Sequence, residues 1–432
     1  MNVWLLKIGE PIPIDGNCKE RLHRMGLLSQ FIARAKHKVT WWTSTFDRVT
    51  RKNIFNSDME IYPFENVRVK MLHSPGYRKS ISMSRLRDQI LVANKFRQCA
   101  LDEPQPDIIL CAYPTIELCR ASVEYGKQFK VPVVLDLRDM WPDILVDSQP
   151  KVARPFLRYF LRKMFDDSKF ACAEATALTG ITDAFVDWGL EKGKRIKSVL
   201  DRSFPMGYIS TPPCDEDLRK AERYWDALGI TKTSDYITVC FLGTFGHQFD
   251  IETSISSARM LKASGYAIRF IFCGEGDRLK YFRKMAIDCE NIIFPGWIDA
   301  AKMYVLLRRS SIGLNPIIDR YDFLSTINNK AIEYMSAGLP ILSSPKKGIL
   351  FNLLRSERCG TSFESNNAGE LAEILMQLAD NPDLLSKMSQ NAARLFTLEF
   401  SAERIYTEMT EYLDDVVTHY KHSIGLLGQG LT

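Results

Sequence analysis

The sequence is narrowed first by what it lacks. No apolar run approaches the ~20 residues needed to span a bilayer. The apolar start, Val3 to Leu6, is too short for a secretory leader and is broken by Lys7 and Glu10. A soluble or peripheral cytoplasmic chain is the expectation. The ten cysteines contain no Cys-x-x-Cys pair, and the six histidines form no zinc-like cluster with them. Cys240 and Cys273 sit inside apolar runs and read as reduced core residues. A large excess of one charge is also missing. With 57 basic and 52 acidic residues the net charge is +5, which suits an anionic substrate but carries no nucleic-acid signature. The triplet Asp215-Glu-Asp217 opens a mixed-charge helix, where acids complement the helix dipole, so no metal site is expected.

What is present is enough apolar material, 46% of 432 residues, for two cores of about 200 residues each. The pattern predicts an N-terminal domain over 1–207, a second over 208–400, and a C-terminal helix and tail over 401–432. In the first half, apolar strands near 2–8, 39–43, 67–72, 107–113, 131–136 and 177–182 alternate with helical stretches. This is the order of a doubly wound α/β domain. Ligands of such sheets bind beyond the C-terminal strand ends. Arg138, Asp139 and Asp143, which follow the strand ending at Asp136, become candidates by that placement. The second half repeats the alternation from Ile237 onward.

The stretch 324–342 is the most informative. Asn328 or Asn329 can cap a short helix, Gly338 stops it, and Pro340 prevents its continuation. The unpaired N–H groups at the helix start suit a phosphate, with Lys330 beside them. Glu333, one turn further in, can accept hydrogen bonds from sugar hydroxyls.

Asn-Lys-x-x-Glu-Tyr-Met-x-Ala-Gly-x-Pro-Ile resembles the nucleotide-sugar element of family-4 retaining glycosyltransferases. The resemblance extends through Gly243-x-x-Gly, Gly274-Glu-Gly-Asp, Pro295-Gly-Trp297-Ile and Asn315-Pro, in family order. It implies the α/β GT-B fold: two Rossmann-like domains facing across a cleft, with the C-terminal helix crossing back to the first. It implies that Gly16 and the loop residues Gly243, Gly246 and His247 approach the donor phosphates. Gly274, Glu275, Trp297 and Ile298 would flank the base, Glu333 would bind the ribose, and Thr326, Asn329 and Lys330 would complete the donor site. Two departures stand out. Ser325 occupies a position where the family often has a glutamate, and His247 is the one cation-capable side chain in its glycine loop. The helix start after Phe249, Lys330 and Arg138 are the expected replacements for the missing charge.

The first half contains Gly-Glu-Pro-Ile-Pro-Ile-Asp-Gly-Asn, Trp41-Trp-Thr-Ser-Thr-Phe-Asp47 and Asp136-Leu-Arg-Asp-Met-Trp-Pro-Asp143. These resemble transferases of bacterial surface-polysaccharide and O-antigen assembly. The implied reaction moves a sugar from a nucleotide donor, a UDP sugar in the first instance, to a glycan or polyprenyl-linked acceptor. No cofactor or metal is implied. Arg138, Asp139 and Ser325 are the candidate catalytic residues. The alternatives are a nucleotide-sugar epimerase on the same fold and a noncatalytic nucleotide-sugar-binding subunit. Residues 151–170 are basic and aromatic, with Arg154, Arg158 and Arg162 at helical spacing. They are expected either to pack on their own sheet or to meet an anionic membrane surface.

Overall fold

The computed structural model describes residues 1–14, 22–48, 50–79, 82–231 and 236–429, the side chains of 426–429 aside. The chain forms two compact units, Met1–Pro205 with Ile405–Thr432, and Met206–Arg404. Each is built on one sheet whose central strands are apolar on both faces, the pattern of parallel strands covered by helices on either side.

In the first unit the spatial strand order is Arg202–Ser203, Ala177–Gly180, Val133–Leu137, Ile108–Tyr113, Asn2–Leu6, Lys38–Ser44, Val67–Leu72, Met59–Phe64. All neighbours pair in parallel except the last two, which are antiparallel. One sheet face buries Trp4, Trp42, Phe96 and Tyr125, with Trp4 and Trp42 meeting edge to face at 5.2 Å. The long helix Ala402–Gln429 joins this unit from Ile405 onward. Its buried stripe of Ile405, Tyr406, Met409, Tyr412 and Leu413 brings Tyr406 to 5.7 Å from Phe31 and Tyr412 to 5.2 Å from Phe204.

The second unit has the order Ile292–Gly296, Ile268–Cys273, Ile237–Leu242, Ile312–Pro316, Ile341–Ser344, Gly360–Ser362, parallel throughout. Alternation divides its core in two. Val239, Phe241, Phe270, Phe272 and Leu342 point to one face, and Cys240, Leu242, Ile271, Cys273 and Ile341 to the other. The cysteines in apolar runs are therefore small core residues, free and buried.

In both sheets the chain builds outward from a first strand and then returns to its other side. These reversals lie between Asn2–Leu6 and Ile108–Tyr113, and between Ile237–Leu242 and Ile312–Pro316. At such a point the connections leave in opposite directions and open a crevice past the strand ends.

The segment 151–170 departs from the single helix expected of it. A short 3-10 turn leads into a helix over Arg154–Phe160, which ends at Leu161, and a second helix runs over Arg162–Glu174. The second is anchored: Met164, Asp167 and Ser168 are buried, Asp167 pairs with Arg120 at 2.6 Å, and Ser168 meets the Tyr113 hydroxyl at 2.8 Å. The first has no buried residue. Its arginines do not act as one solvated row either, because Arg154 donates back to the carbonyls of Asp147 and Gln149.

Candidate functional site

The second unit's crevice is assembled from three interlocked loops. Gly243 follows the strand Ile237–Leu242, and its N–H donates to Cys273 O at 3.0 Å. Phe245 N donates to Glu275 O at 2.8 Å, and Gly274 N to Gly296 O at 2.8 Å. The approach is so close that only glycine fits at Gly274: with φ at +138°, a Cβ would stand 1.8 Å from Gly243 O. The same loops place Trp297, 68% exposed, directly after Gly296. The side chains of Glu275 and His247 are also exposed, while the Glu275 carbonyl is committed to the loop contact.

Over these loops sits the helix Asn329–Ser336, capped by Asn328, whose side chain accepts from Ala331 N at 3.0 Å. The cap is itself held. Asn328 Nδ2 donates to Asn315 Oδ1 at 2.9 Å, and Asn315 is tied to the Ser343 hydroxyl at 3.3 Å. Tyr334 clamps the other side, its hydroxyl donating to Leu314 O at 3.2 Å and accepting from Leu242 N at 3.1 Å. Its ring lies so close that a Cβ on Gly313 would be 2.3 Å from it. The helix start therefore stands at the reversal point between the strands Ile237–Leu242 and Ile312–Pro316. Its first amides have no intrahelical acceptor.

Lys330 leans over this start. Its Nζ lies 3.9 Å from the Phe249 ring centroid and 5.5 Å from that of Phe241. It forms no hydrogen bond or ion pair with a described residue. Burial pushes its ammonium down to about 8, with Glu333 partly opposing the change. A Cβ on Gly243 would come within 2.7 Å of Lys330 Cε, so the glycine leaves the room that the lysine fills. Glu333 is buried one turn along the same helix. Gly243, Gly274, Lys330 and Glu333 are thus gathered in one place, with Asn329 exposed at the helix start. Thr326 precedes it in the loop, and Ile298 follows Trp297.

Other expectations fare differently. The helix start after Phe249 is less suited to an anion than the sequence suggested, because its cap carries a negative charge. Asp250 caps the helix Ile251–Ala263, accepting from Thr253 N at 3.1 Å and from its hydroxyl at 2.6 Å. An incoming phosphate would meet that carboxylate. Ser325 ends the short helix Tyr321–Leu324 and is buried, its N–H donating to Tyr321 O at 2.9 Å. Gly16 lies outside the described residues. Ser343 and Phe249 were not singled out in the sequence, and Asn315 and Asn328 were named there as motif and cap residues without the hydrogen bonds that join them. The signal for this ladder was there, since Asn315 is a polar residue ending the apolar strand Ile-Gly-Leu-Asn-Pro. A concavity of about 800 Å³ along the edge strand Gly360–Ser362 contains none of these site residues.

Arg138 and Asp139 belong to the first unit's crevice, a cavity of about 220 Å³ lined also by Lys7, Arg48, Tyr77, Arg85 and Trp141. Arg138 is not a freely placed cation. It pairs with Asp136 at 2.6 Å and with Glu10, while Arg24 holds the other side of Asp136 at 3.0 Å. Burial alone would raise the Asp136 carboxyl, but Arg24 and Arg138 hold it well below the usual carboxylate range. Asp139 accepts from Met140 N at 2.8 Å, and Asp143 pairs with Lys192 at 2.6 Å.

The geometry defines two Rossmann-like units of the GT-B fold, each with a crevice at its sheet's reversal point. Residues 229–395 match the family model of glycosyl transferases group 1. No curated protein matches the chain. Among solved structures, sucrose-phosphate synthase from Thermosynechococcus elongatus is similar at 16% identity with a TM-score of 0.69, covering 97% of this chain and 99% of its own. HepE of Anabaena in complex with UDP gives 13% identity and 0.64, covering 96% and 100%. WaaG, a glycosyltransferase involved in lipopolysaccharide biosynthesis, gives 14% and 0.63, covering 95% and 99%. At these identities the likeness is one of fold.

Lys330 gives a test that separates function from structure. Its charge is disfavoured in the fold, so Lys330→Met is expected to raise Tm at pH 7 while weakening nucleoside-diphosphate binding by about tenfold or more. The wild-type affinity should fall as pH rises through about 8, where the lysine loses its proton, and this fall should be absent in the variant. Calorimetric titration between pH 7 and 9 checks both. A variant that loses stability and affinity together would mark Lys330 as structural.

Proposed function

We propose that the protein is a glycosyltransferase that moves a sugar from a nucleoside-diphosphate donor to a glycan or polyprenyl-linked acceptor. The donor is a UDP sugar in the first instance, and the setting is surface-polysaccharide assembly. The observation that carries this reading is the partly buried Lys330 ammonium, which forms no ion pair with a described residue, beside the start of the Asn329–Ser336 helix. Support comes from the group 1 match over 229–395 and from HepE, whose similar structures hold UDP, UDP with glucose, or UDP-glucose.

The leaving group is a nucleoside diphosphate, so the chemical problem is charge developing on its terminal phosphate. Helix-start amides and Lys330 address that charge directly and need no metal. In the retaining course proposed here, the bond from the anomeric carbon to the phosphate oxygen breaks and the acceptor oxygen bonds on the same face. The acceptor proton passes to the departing phosphate, so no protein base is required. Asp139 is the proposed group for orienting an acceptor hydroxyl, and Ser325 and Thr326 contribute hydrogen bonds to the donor.

Location at the inner face of a membrane is proposed from the Arg154–Phe160 helix. Val152, Phe156, Tyr159 and Phe160 are 90%, 71%, 69% and 55% exposed, and Lys151, Arg158 and Arg162 are exposed around them. Aromatic side chains in water beside cations fit an anionic lipid surface, where each nearby basic residue contributes about 1 kcal/mol. No described helix is long and apolar enough to cross a membrane.

A thermal-shift panel of UDP, GDP, dTDP and their sugars should show stabilisation by one nucleoside, with turnover on polyprenyl-diphosphate-linked acceptors in the presence of EDTA. Stabilisation by none of them sinks the transferase reading, and sugar conversion without acceptor would favour the epimerase. On vesicles, the chain should sediment with phosphatidylglycerol and not with neutral lipid. The double substitution Phe156→Ser, Phe160→Ser should release it, and equal binding by that variant refutes the membrane assignment.

A further inference from the structure

The first unit's crevice carries an unmet electrostatic demand. The cavity of about 220 Å³ opens past the ends of Asn2–Leu6, Lys38–Ser44, Ile108–Tyr113 and Val133–Leu137, at that sheet's own reversal point. Four cations line it: Lys7, Arg48, Arg85 and Arg138. The two acids in its lining accept backbone N–H groups, Asp88 from Gly76 at 2.7 Å and Asp139 from Met140 at 2.8 Å, and Asp139 and Glu117 partly offset the charge around Arg85. Beneath the lining, Glu10 and Asp136 are consumed by Arg24 and Arg138.

Two donors remain over. Arg138 Nη2 is buried with no hydrogen-bond partner, although the other guanidinium nitrogens of Arg138 are engaged. Lys7 Nζ makes no hydrogen bond or ion pair with a described residue. Burial and the adjacent Arg138 push Lys7 down to about 8, with Glu10 partly opposing the change. A buried donor without an acceptor is uncommon in folded proteins and costs about 1–3 kcal/mol. Lys7 and Arg138 both line the cavity. Arg85 is presented into the same space, with its guanidinium 4.3 Å from the Trp141 ring centroid. Stacking fixes the plane of that fork, which favours bidentate pairing with carboxylate or phosphate oxygens.

We propose that this cavity is an acceptor subsite for an acidic sugar substituent, a carboxylate or a phosphate. Its oxygens take the spare donors of Lys7 and Arg138 and pair with Arg85. The assignment to an acceptor rests on the transferase reading; the anion site itself rests on the cavity. The volume lies below the roughly 300–1,000 Å³ of drug-sized pockets, which suits one charged group and part of a ring. The acceptor residue would then be distinguished by its charge. A neutral sugar would leave Arg138 Nη2 facing no acceptor.

The test is a calorimetric titration of the full chain with glucose 6-phosphate, glucuronate and glucose at one ionic strength. One of the two acidic sugars should bind about tenfold or more tightly than glucose, and comparing them tells phosphate from carboxylate. Lys7→Met removes a charge that the fold disfavours and should still fold; Arg85→Gln is the second variant. Each should abolish the preference and leave UDP affinity within about twofold of wild type. Equal binding of all three sugars, or a preference that survives both substitutions, overturns the proposal. A matching loss of UDP affinity overturns it too, by giving these cations to the donor. If acidic sugars bind as expected and no nucleotide binds at all, the transferase reading fails and the anion site stands.

Discussion

Asn315 ends an otherwise apolar strand at full burial, and a buried amide left without partners costs about 1–3 kcal/mol. Its partners are the Ser343 hydroxyl on the neighbouring strand and the side chain of Asn328, which in turn caps the Asn329–Ser336 helix. One chain of hydrogen bonds therefore connects the sheet to the first turn of the helix. An eight-residue helix is too short to be stable on propensity alone. Here it is placed by that chain at one end and by Tyr334 bridging Leu242 and Leu314 at the middle. Because the cap is fixed to the strand ends, so are the helix-start amides and Lys330. The position of the proposed anion site follows from satisfying a buried amide.

Both units handle charge in a similar way, though with different outcomes. In the second, the Lys330 ammonium is kept partly from water over Phe249 and Phe241, with Glu333 on the same helix as its nearby acid. In the first, Arg24 and Arg138 are closely matched to Asp136 and Glu10, yet Lys7 and one nitrogen of Arg138 are left over. Charges that the fold does not neutralise are costly, and they are retained where a ligand can neutralise them. The helix Ile251–Ala263 gives the contrast. Its cap is the Asp250 carboxylate, whose charge opposes an anion at that start, where Asn328 brings none.

Much of this was legible in the sequence because parallel strands are continuous apolar runs. Val67–Leu72 and Ile108–Tyr113 form at, or within a residue of, the limits their composition suggested. The antiparallel edge Met59–Phe64 was not recognisable, since Pro63 and exposed residues break its pattern, and Arg202–Ser203 is too short to have one. The basic segment 151–170 misled because one amphipathic pattern covers two helices, of which only the second meets the core. Arg138 was found by its place at a strand end. Its partner Glu10, however, is far away in the chain, and such pairings leave no local signal. Glu333 and Lys330 were readable because helical spacing puts them on one short segment with the cap.

The central claim is that this segment grips a nucleoside diphosphate, with Glu333 on the ribose. The most direct measurement is a binding cycle. It pairs Glu333→Ala with the preferred nucleoside diphosphate and with its analogue lacking both ribose hydroxyls. With wild-type protein, losing the hydroxyls should weaken binding by about tenfold or more. With Glu333→Ala the two ligands should bind alike, so that the two changes are strongly non-additive. Strictly additive losses would show that Glu333 does not touch the ribose, and the site as described here would be wrong.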